Sequence, residues 1–289
     1  MNGILLIDKP RDWTSSDVVA KLRGILHERR IGHSGTLDPM ATGLLVIFVG
    51  RATRAVEFAE SHDKRYRAGL RLGMVTDTQD VTGNRTGGEP REVSDLELEE
   101  TLAGFRGDIL QLPPMYSAIK VGGKKLYEIA RRGGEVERKP RPVHIASLQV
   151  VGREDGDFLL DVQCSKGTYI RTLCHDIGQK LGCGGCMSSL RRLQAGEYHL
   201  DDAYTLSQVQ AAADRGEAES LLRPVDSLFC AYPVLTVGEK GEQRLRCGGS
   251  AAAPVPDGSY RVYGPGGGFL ALGEVSNGEC RSIKSFFEV

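Results

Sequence analysis

The sequence predicts a protein of mixed α and β structure that ends in a smaller all-β domain. Three observations lead to this prediction: apolar runs with strand character, helical periodicity behind N-terminal capping residues, and a change of composition near residue 230. With 289 residues, the chain is long enough for about two domains. We therefore assign residues 1–230 to a first domain and residues 231–289 to a second.

The N-terminal part alternates short strands with helices. ILLID (4–8) is an apolar run typical of a strand, and Thr14 with Asp17 resembles a capping box that opens a helix. LLVIFVG (44–50) predicts a strand buried on both sides. RYRAGLRLG (65–73) alternates apolar and basic residues, which predicts a half-buried strand with an arginine-bearing outer face.

The elements that follow are predicted from the same signals. Residues 76–95 are polar and rich in turn formers, and Ser94 with Glu97 offers a second capping box. The remaining predicted elements are strands at 143–151 and 158–164, a helix over 168–182 and a helix opening at Thr205 with Gln208. Beyond residue 232, Gly and Pro break the chain into short strand-like pieces, which indicates a small all-β domain.

Composition narrows the class of protein. No apolar run approaches about 18 residues, so we expect no membrane span. The N-terminal segment lacks a basic region followed by a long apolar core, so we expect no secretory signal. Seven cysteines without small-scaffold spacing indicate reduced thiols in the cytoplasm. Cys183 and Cys186 are the one close pair; because a zinc site needs about four ligands, we interpret them as ordinary thiols.

Charge is distributed unevenly although the net charge is only −1. Residues 1–72 and 115–195 carry net charges of +4 and +6, whereas residues 73–114 and 196–289 carry −6 and −5. Clustered basic charge is what contacts to nucleic-acid phosphates require. The same pattern is also compatible with an ordinary solvated surface, so charge alone leaves both interpretations open.

The segment HSGTLDPMATGLL (33–45) surrounds a single carboxylate, Asp38, with small residues. Because Asp38 precedes Pro39, its backbone is disfavoured in the helical region and is expected to be extended or in a turn. Gly35 and the other small residues leave room for a ligand to approach the acid. Two interpretations remain open: a displayed catalytic carboxylate, or an Asp-Pro turn whose side chain bonds its own backbone.

Several other chemistries lack the residues that they need. Zinc deaminases carry H-x-E with P-C-x-x-C, and nucleotide sites carry Gly-rich phosphate-binding signatures; neither occurs here. A glycosidase needs two carboxylates, but Asp8, Asp77 and Asp80 do not lie in a comparable loop. A metal site would need partners for His33, and none is near in the sequence.

The segment GHSGTLDPMATGLL closely resembles the catalytic motif of the TruB family of tRNA pseudouridine synthases. Further motifs resemble that family in order and approximate spacing. They are LLIDKP (5–10) with TSSD (14–17), KRYRAGLRLGMVTDTQDVTG (64–83), PPMYSAIKVGGKKLYEIARRG (113–133), CSKGTYIRTL (164–173) and SLRRL (189–193). Together they span most of residues 3–195. Residues 232–289 are similar in position to the family's small PUA-like RNA-binding domain.

The resemblance implies the α+β pseudouridine-synthase fold: a mixed, mostly antiparallel sheet with flanking helices and a central cleft, followed by a PUA-like β domain. It implies isomerisation of uridine to pseudouridine at position 55 in the T loop of tRNA, with the target base flipped out. The N1–C1′ bond breaks, the uracil turns, and a C5–C1′ bond forms. Because no group is imported and no redox step occurs, we expect no cofactor and no metal.

The resemblance also assigns roles at the centre of the site. Asp38 corresponds to the essential aspartate, which acts at C1′ as a nucleophile or at C2′ as a base; the sequence does not decide between the two. Arg171 corresponds to the arginine that pairs with this aspartate and favours its ionised form. Tyr66 corresponds to the tyrosine that stacks on the target uracil, although its alternation also suits a core position.

Other positions resemble the family's RNA-binding residues. His33 corresponds to the histidine that enters the T loop, whereas Tyr169 and Leu190 correspond to residues lining the uracil pocket and equally suit a hydrophobic core. Residues 113–140 correspond to a clamp segment that we expect to hold phosphates of the T stem-loop. The candidate cations of this clamp segment are Lys120, Lys124, Lys125, Arg131 and Arg132.

Two alternatives belong to other classes of protein. One is a non-catalytic tRNA-binding or folding factor, which the presence of Asp38, Tyr66 and Arg171 disfavours. The other is a guide-RNA-dependent catalytic subunit, which the chain's own clamp segment disfavours. We therefore expect a cytoplasmic monomer that acts on tRNA without an obligate protein partner. Two residues depart from the family pattern, namely Asp12, where Gly is frequent, and Cys186, just before SLRRL.

Overall fold

A computed structural model of the chain describes residues 1–117, 119–130 and 132–287. Arg131 and the side chains of Lys120, Lys124 and Lys125 lie outside the described part. The strands are β1 (Gly3–Lys9), β2 (Ile31–Ser34), β3 (Thr42–Val49), β4 (Lys64–Leu72), β5 (Val75–Thr76), β6 (Arg85–Gly87), β7 (Gly107–Gln111), β8 (Lys120–Val121), β9 (Lys124–Lys125), β10 (Arg141–Glu154), β11 (Asp157–Cys164), β12 (Gly185–Ala195), β13 (Tyr198–His199), β14 (Val234–Thr236), β15 (Ser250–Ala252), β16 (Gly258–Tyr263), β17 (Phe269–Ser276) and β18 (Glu279–Ser285).

The α-helices are α1 (Ser15–Leu26), α2 (Val56–Glu60), α3 (Asp95–Ala103), α4 (Leu126–Ala130), α5 (Ile170–Lys180), α6 (Leu206–Asp214) and α7 (Glu239–Arg246). Short 3₁₀ turns occupy Gly50–Ala55, Leu200–Asp202, Ala218–Leu221 and Val225–Phe229. The capping boxes predicted at Thr14 and Thr205 are both present. At Ser94, the side chain accepts a hydrogen bond from the backbone of Glu97. None of the helices in the described ranges combines the length and apolar character that a membrane crossing requires.

One large sheet forms the centre of the molecule, with strand order β1-β3-β12-β4-β11-β10-β7. β2 pairs with β3, and β13 pairs with β12, at the side of this path. All of these pairings are antiparallel except β12 with β3. The prediction of a mixed, mostly antiparallel sheet is confirmed. The sequence analysis assigned no element to β12, although β12 lies in the middle of the sheet.

The two faces of β4 differ as the alternating pattern predicted. Arg65 and Arg67 lie on one face, are partly exposed, and bond the carboxylate of Asp161 on β11. Ala68 and Leu70 on the other face are fully buried in a core formed with α5 and β11. Burial of this apolar face sets the register of the strand, since a shift by one residue would exchange the two faces.

The C-terminal part forms a separate five-stranded sheet, in the order β14-β16-β17-β18-β15. The prediction of β structure here is correct, but α7 also belongs to this part and was not predicted. Its side chain Leu245 is buried against the sheet. Phe229 packs against Phe58 on the large-sheet side and against Phe269 and Phe286 on the small-sheet side. An aromatic cluster therefore joins the two sheets.

Candidate active site

The loop that carries Asp38 is held from below by the N-terminal segment. Ser15 donates to and accepts from the backbone of Leu37, at 3.3 and 2.9 Å. Lys9 is fully buried, and its Nζ donates to the carbonyl of Pro39 at 3.1 Å. Burial lowers the pKa of Lys9 to about 8. Through these bonds, residues of the motifs at 5–17 fix the backbone on both sides of Asp38.

Asp12 and the loop glycines permit tight backbone contacts. Asp12 has a positive φ of 64°, a conformation that Gly adopts easily, which explains why Gly is frequent at this position in the family. The N–H of Asp12 donates to the carbonyl of Pro39 at 2.8 Å. Gly43 has a φ of 97°, and a Cβ there would lie 2.4 Å from the carbonyl oxygen of Arg192. A Cβ on Gly35 would lie 3.0 Å from Nη1 of the same arginine. The small residues thus allow the loop to lie directly against β12.

Asp38 and Arg171 form a two-point ion pair. Nε of Arg171 lies 2.9 Å from Oδ2 of Asp38, and Nη2 donates to Oδ1 at 3.2 Å. The arginine side chain is 6% exposed and the aspartate side chain is 36% exposed. The Asp-Pro turn is present, since the N–H of Ala41 donates to the carbonyl of Asp38 at 3.0 Å. Among the described residues, the carboxylate accepts no bond from this turn and pairs with Arg171 instead, so the predicted bond between the side chain and its own backbone is wrong. The carboxylate is oriented by a rigid guanidinium and remains open to a ligand.

Arg171 is itself fixed by groups from two other segments. Nη1 donates to the carbonyl of Thr78 at 3.1 Å, and Nη2 donates to the carbonyl of Tyr116 at 2.7 Å. The carboxylate of Asp80 lies 3.9 Å from Nε and is 7% exposed. Asp80 accepts in turn from the side chain of Thr78 and from Thr82. The loop after β4 therefore supplies a second, buried carboxylate that supports Arg171.

The net effect of the surroundings on Asp38 differs from the expectation. Burial raises the pKa of this carboxyl above its ordinary value, and the neighbouring Asp80 acts in the same direction. Arg171 lowers the pKa, as expected, but by less than burial raises it. The reason is that loss of water around a carboxylate disfavours its charged form. A carboxylate with a raised pKa is a stronger base and nucleophile at neutral pH.

Tyr66 and Leu190 lie together on one face of the large sheet. Tyr66 on β4 pairs with Arg192 on β12, and Leu190 pairs with Ala68 one position along the same face. Leu190 is buried, whereas Tyr66 is half-buried and packs at the margin of the same core. Loop residue Leu37 belongs to that core as well. The structure thus brings these two predicted pocket residues to the loop that carries Asp38.

Tyr169 and His33 lie at the borders of this region. Tyr169 precedes α5, two residues before Arg171, and its backbone exchanges two hydrogen bonds with the buried side chain of Gln111, at 3.0 and 3.2 Å. His33 lies on β2 and not in a loop, and its Nδ1 is buried without a hydrogen-bond partner. Burial lowers the pKa of His33, and Arg192 adds to this effect.

The clamp segment is described only in part. Arg132 is exposed after α4, so its guanidinium is accessible. The other four predicted cations cannot be placed, since Arg131 and the side chains of Lys120, Lys124 and Lys125 lie outside the described residues. The start of the segment does reach the site, because the carbonyl of Tyr116 accepts from Arg171.

The sequence analysis did not identify three supporting residues, namely Asp80, Gln111 and Arg192. Asp80 was considered only as the second acid of a glycosidase. The signal that could have found it is the run TDTQDVT, in which threonines flank the acid and can bond it locally. Gln111 and Arg192 carry no such local signal. Across the described ranges, no group of three or more His, Cys, Asp and Glu side chains is arranged to hold a metal ion.

Solved structures share this fold over almost the whole chain. The structure described as "Crystal Structure of a Cbf5-Nop10-Gar1 Complex" gives a TM-score of 0.76 at 25% identity and covers 99% of this chain and 85% of the other. A structure of an "H/ACA RNP bound to a substrate RNA containing 2'-deoxyuridine" gives 0.75 at 23% identity, with coverages of 99% and 85%. The mixed sheet, the pair of Arg171 with Asp38 in the loop before β3, and this likeness define an enzyme of the pseudouridine-synthase class.

The family follows from sequence comparison. Residues 23–170 match the model of the TruB family pseudouridylate synthase N-terminal domain, and residues 171–229 match that of the tRNA pseudouridylate synthase B C-terminal domain. The chain belongs to the TruB family of pseudouridylate synthases.

Relatives named tRNA pseudouridine synthase B extend the similarity to the full length. The protein of Heliobacterium modesticaldum is 50% identical over 83% of this chain and 78% of its own. That of Stutzerimonas stutzeri is 43% identical over 96% and 92%. That of Syntrophotalea carbinolica is 40% identical over 100% and 97%.

Proposed function

We propose that this chain isomerises uridine to pseudouridine at position 55 in the T loop of tRNA, with Asp38 as the catalytic residue. The observation that carries the proposal is the two-point pair between Asp38 and the buried Arg171, at 2.9 and 3.2 Å. It leaves an oriented, partly exposed carboxylate in the fold of a pseudouridine synthase. The names of the full-length relatives support tRNA as the substrate.

The chemistry requires one carboxylate beside the ribose of an extruded nucleotide. Asp38 either attacks C1′ as a nucleophile or removes a proton from C2′ as a base. In both routes the uracil leaves N1–C1′ with the bonding electron pair, turns, and bonds to C1′ through C5. The raised pKa of Asp38 suits both routes, because the ionised form of a more basic carboxyl group is a stronger base and nucleophile.

The residues around the acid bind the base and its neighbours. Tyr66 stacks on the target uracil, since an aromatic face accepts a base without reading its edge. Leu190 and Tyr169 line the pocket that receives the flipped base. His33 enters the T loop and contacts the flipped-out nucleotides. Its lowered pKa keeps the ring neutral at pH 7, which suits contact with unstacked bases.

Phosphate contacts hold the stem-loop over the cleft. The clamp segment supplies Lys120, Lys124, Lys125, Arg131 and Arg132 to phosphates, and the C-terminal sheet serves as a PUA-like RNA-binding domain over residues 231–289. Replacing Lys124 and Lys125 by Ala should reduce the slope of log affinity against log salt by about 0.7–0.9 for each lost contact. Lys21 and Lys180 are exposed and distant in sequence from the clamp, so the double Ala variant at these positions is the charge-matched control.

The enzyme acts alone in the cytoplasm as a monomer and needs no cofactor. The fold likeness to a Cbf5-Nop10-Gar1 complex favours one second candidate, a catalytic subunit that requires protein or RNA partners. The two candidates differ in a simple requirement. An autonomous enzyme modifies a bare tRNA transcript, whereas a dependent subunit does not.

The test uses the purified full chain and an unmodified tRNA transcript, without other proteins or RNA. Pseudouridine is then mapped at each uridine. Product confined to position 55 supports the proposal. Product only after partner proteins or a guide RNA are added supports the second candidate. Product at other positions, with none in the T loop, contradicts the substrate assignment.

A further inference from the structure

Arg192 is a second buried guanidinium beside the catalytic loop. Its side chain is 1% exposed. Nε donates to the carbonyl of Leu44 at 2.6 Å, and Nη1 lies 3.0 Å from the place of a Cβ on Gly35. Nη2 is buried without any hydrogen-bond partner. In the described part of the chain, no carboxylate oxygen lies within 4.0 Å of this guanidinium, in contrast to Arg171 with Asp38 and Asp80.

A buried guanidinium without a carboxylate is costly to the fold. Loss of water around a charge is unfavourable, and an opposite charge normally offsets it. The neighbours of Arg192 increase this cost, since Lys9 and Lys64 are also buried and their pKa values are lowered in part by its charge. Three buried cations thus lie close enough to interact beside the loop of Asp38. A site of this kind favours negative charge that is brought by a substrate or develops during a reaction.

Tyr66 lies between Arg192 and the catalytic acid, because its hydroxyl interacts electrostatically with both Arg192 and Asp38. Tyr66 and Arg192 are direct partners in the antiparallel pairing of β4 with β12. Such partners point to the same face, with their Cβ atoms about 4.5–5.5 Å apart. The charge of Arg192 lowers the pKa of the Tyr66 hydroxyl, although burial has the larger and opposite effect. The two side chains are therefore coupled on the face that also carries Leu190.

We propose that Arg192 is a positioning residue of the isomerisation, which acts through the hydroxyl of Tyr66 to stabilise the negative charge on the detached uracil. This inference rests on the proposed function. When N1–C1′ breaks, the bonding pair stays on the uracil. In the nucleophilic route Asp38 bonds to C1′, and this bond breaks, with its electron pair returning to the carboxylate, when C5 attacks C1′. In the other route C2′ loses a proton to Asp38 and takes it back when C5 attacks C1′. The uracil anion then bonds to C1′ through C5, C5 loses its proton, and N1 takes one up.

The test is a double-mutant cycle on the full chain with an unmodified tRNA transcript. Arg192→Gln removes the charge, and Tyr66→Phe removes the hydroxyl but keeps the ring. Arg192→Gln should lower the single-turnover rate by about a hundredfold, the usual loss for a displaced catalytic group, with tRNA affinity unchanged. In the Tyr66→Phe background the same substitution should cost less than about threefold, because coupled residues are not additive.

The matched control is Arg191→Gln in the same strand. Arg191 is 42% exposed and bonds Asp8 at 2.8 Å, so it faces away from Tyr66. It should change the rate by less than about threefold, as expected for a surface pair. Arg192→Lys keeps the charge but loses the guanidinium fork, so it should recover part of the lost rate and remain about tenfold slower than the wild type.

The outcomes separate this inference from the proposed function. A wild-type rate for Arg192→Gln, or equal losses in both Tyr66 backgrounds, overturns the inference. If Arg192→Gln does not fold, Arg192→Lys is measured in both backgrounds. If Arg192→Lys lowers the rate when Tyr66 is intact but not in the Tyr66→Phe variant, the inference is supported. Equal rate losses in the two backgrounds overturn it. Absence of pseudouridine with the wild-type chain refutes the proposed function itself.

Discussion

The two sheets of the molecule differ in the number of charged side chains that they bury. The large sheet and its loops bury seven charged side chains in the described residues, namely Lys9, Lys64, Asp80, Asp157, Asp161, Arg171 and Arg192. The described part of the small C-terminal sheet, up to residue 287, buries none. Its core consists of side chains such as Leu235, Val262 and Phe287, supplemented by the aromatic cluster that joins it to the large sheet.

This difference indicates that the buried charges belong mainly to the candidate active site and not to the general support of the fold. Burying a charge disfavours folding, so a protein retains it where it serves another purpose. Some of the seven have a structural explanation: Asp161 bonds two partly exposed arginines on the outer face of the sheet. Lys9, Asp80, Arg171 and Arg192 surround the loop of Asp38 instead. The described part of the small sheet lacks such groups, as expected for a domain that carries no reacting residue.

The largest expected effect concerns the joint between the two sheets. Phe229 is 1% exposed and contacts aromatic rings from both sides. Phe229→Ala should lower the free energy of unfolding by about 3–5 kcal/mol, the usual cost of deleting a buried aromatic ring. Urea unfolding measures this loss. Tyr232→Ala, at an exposed neighbour, should cost less than about 1 kcal/mol. Equal losses for the two variants would show that burial of Phe229 between the two sheets does not contribute special stability.

The next effect concerns the guanidinium that orients the acid. Arg171→Lys keeps the charge but loses the fork that holds Asp38 and two backbone carbonyls. The single-turnover rate should fall about a hundredfold, or ~2.7 kcal/mol. Arg91→Lys is the control. Arg91 also donates to a backbone carbonyl, that of Leu181, but it is not part of the candidate site, so this variant should have the wild-type rate. A wild-type rate for Arg171→Lys would show that the charge alone suffices.

A smaller effect is expected at the buried second acid. Asp80→Asn keeps the size of the side chain but removes the charge 3.9 Å from Arg171. We expect a rate loss of about tenfold, because a less firmly held Arg171 would orient the Asp38 carboxylate less well. Asp77→Asn, at an exposed acid in the same loop, should have no effect on the rate. If both variants retained full activity, Asp80 would be structural only.

The smallest effect is on stability as a function of pH. The pKa of Asp38 is raised in the folded state, so folding favours its protonated form. As the pH rises from the ordinary value of about 3.9 through the raised value, the wild type should lose stability relative to Asp38→Asn. Thermal unfolding of both proteins at several pH values from about 4 to 7 measures this difference. A difference that changes in the opposite direction would indicate a lowered pKa.

Local patterns in the sequence predicted much of the fold. The capping residue Thr14, the alternation around Tyr66 and the apolar run of β3 each act within a few residues, so their structures follow from local chemistry. β12 was not predicted, because its sequence GCMSSLRRLQA shows no simple alternation of apolar and polar residues. Its position depends on pairing with β4, more than 110 residues away in sequence. α7 was missed because its helical pattern is short and highly charged.

The pairing of Asp38 with Arg171 was predictable, because both residues belong to family motifs and the structure brings them together. The buried groups that tune those residues were not. The net direction of the Asp38 pKa depends on desolvation, which only the packed structure defines. Gln111 bonds Tyr169 from a strand 58 residues away in sequence, and no local sequence pattern predicts that contact. Long-range packing therefore limits what the sequence reveals about the surroundings of a catalytic group.

The central claim is that the carboxylate of Asp38 carries out the isomerisation. The most direct measurement compares wild type with Asp38→Asn, at excess enzyme over an unmodified tRNA transcript, with binding measured in parallel. The wild type should convert the T-loop uridine completely in one turnover. Asp38→Asn should bind the transcript with similar affinity and form no pseudouridine over many wild-type half-lives. Conversion by Asp38→Asn at a rate near that of the wild type would contradict the account.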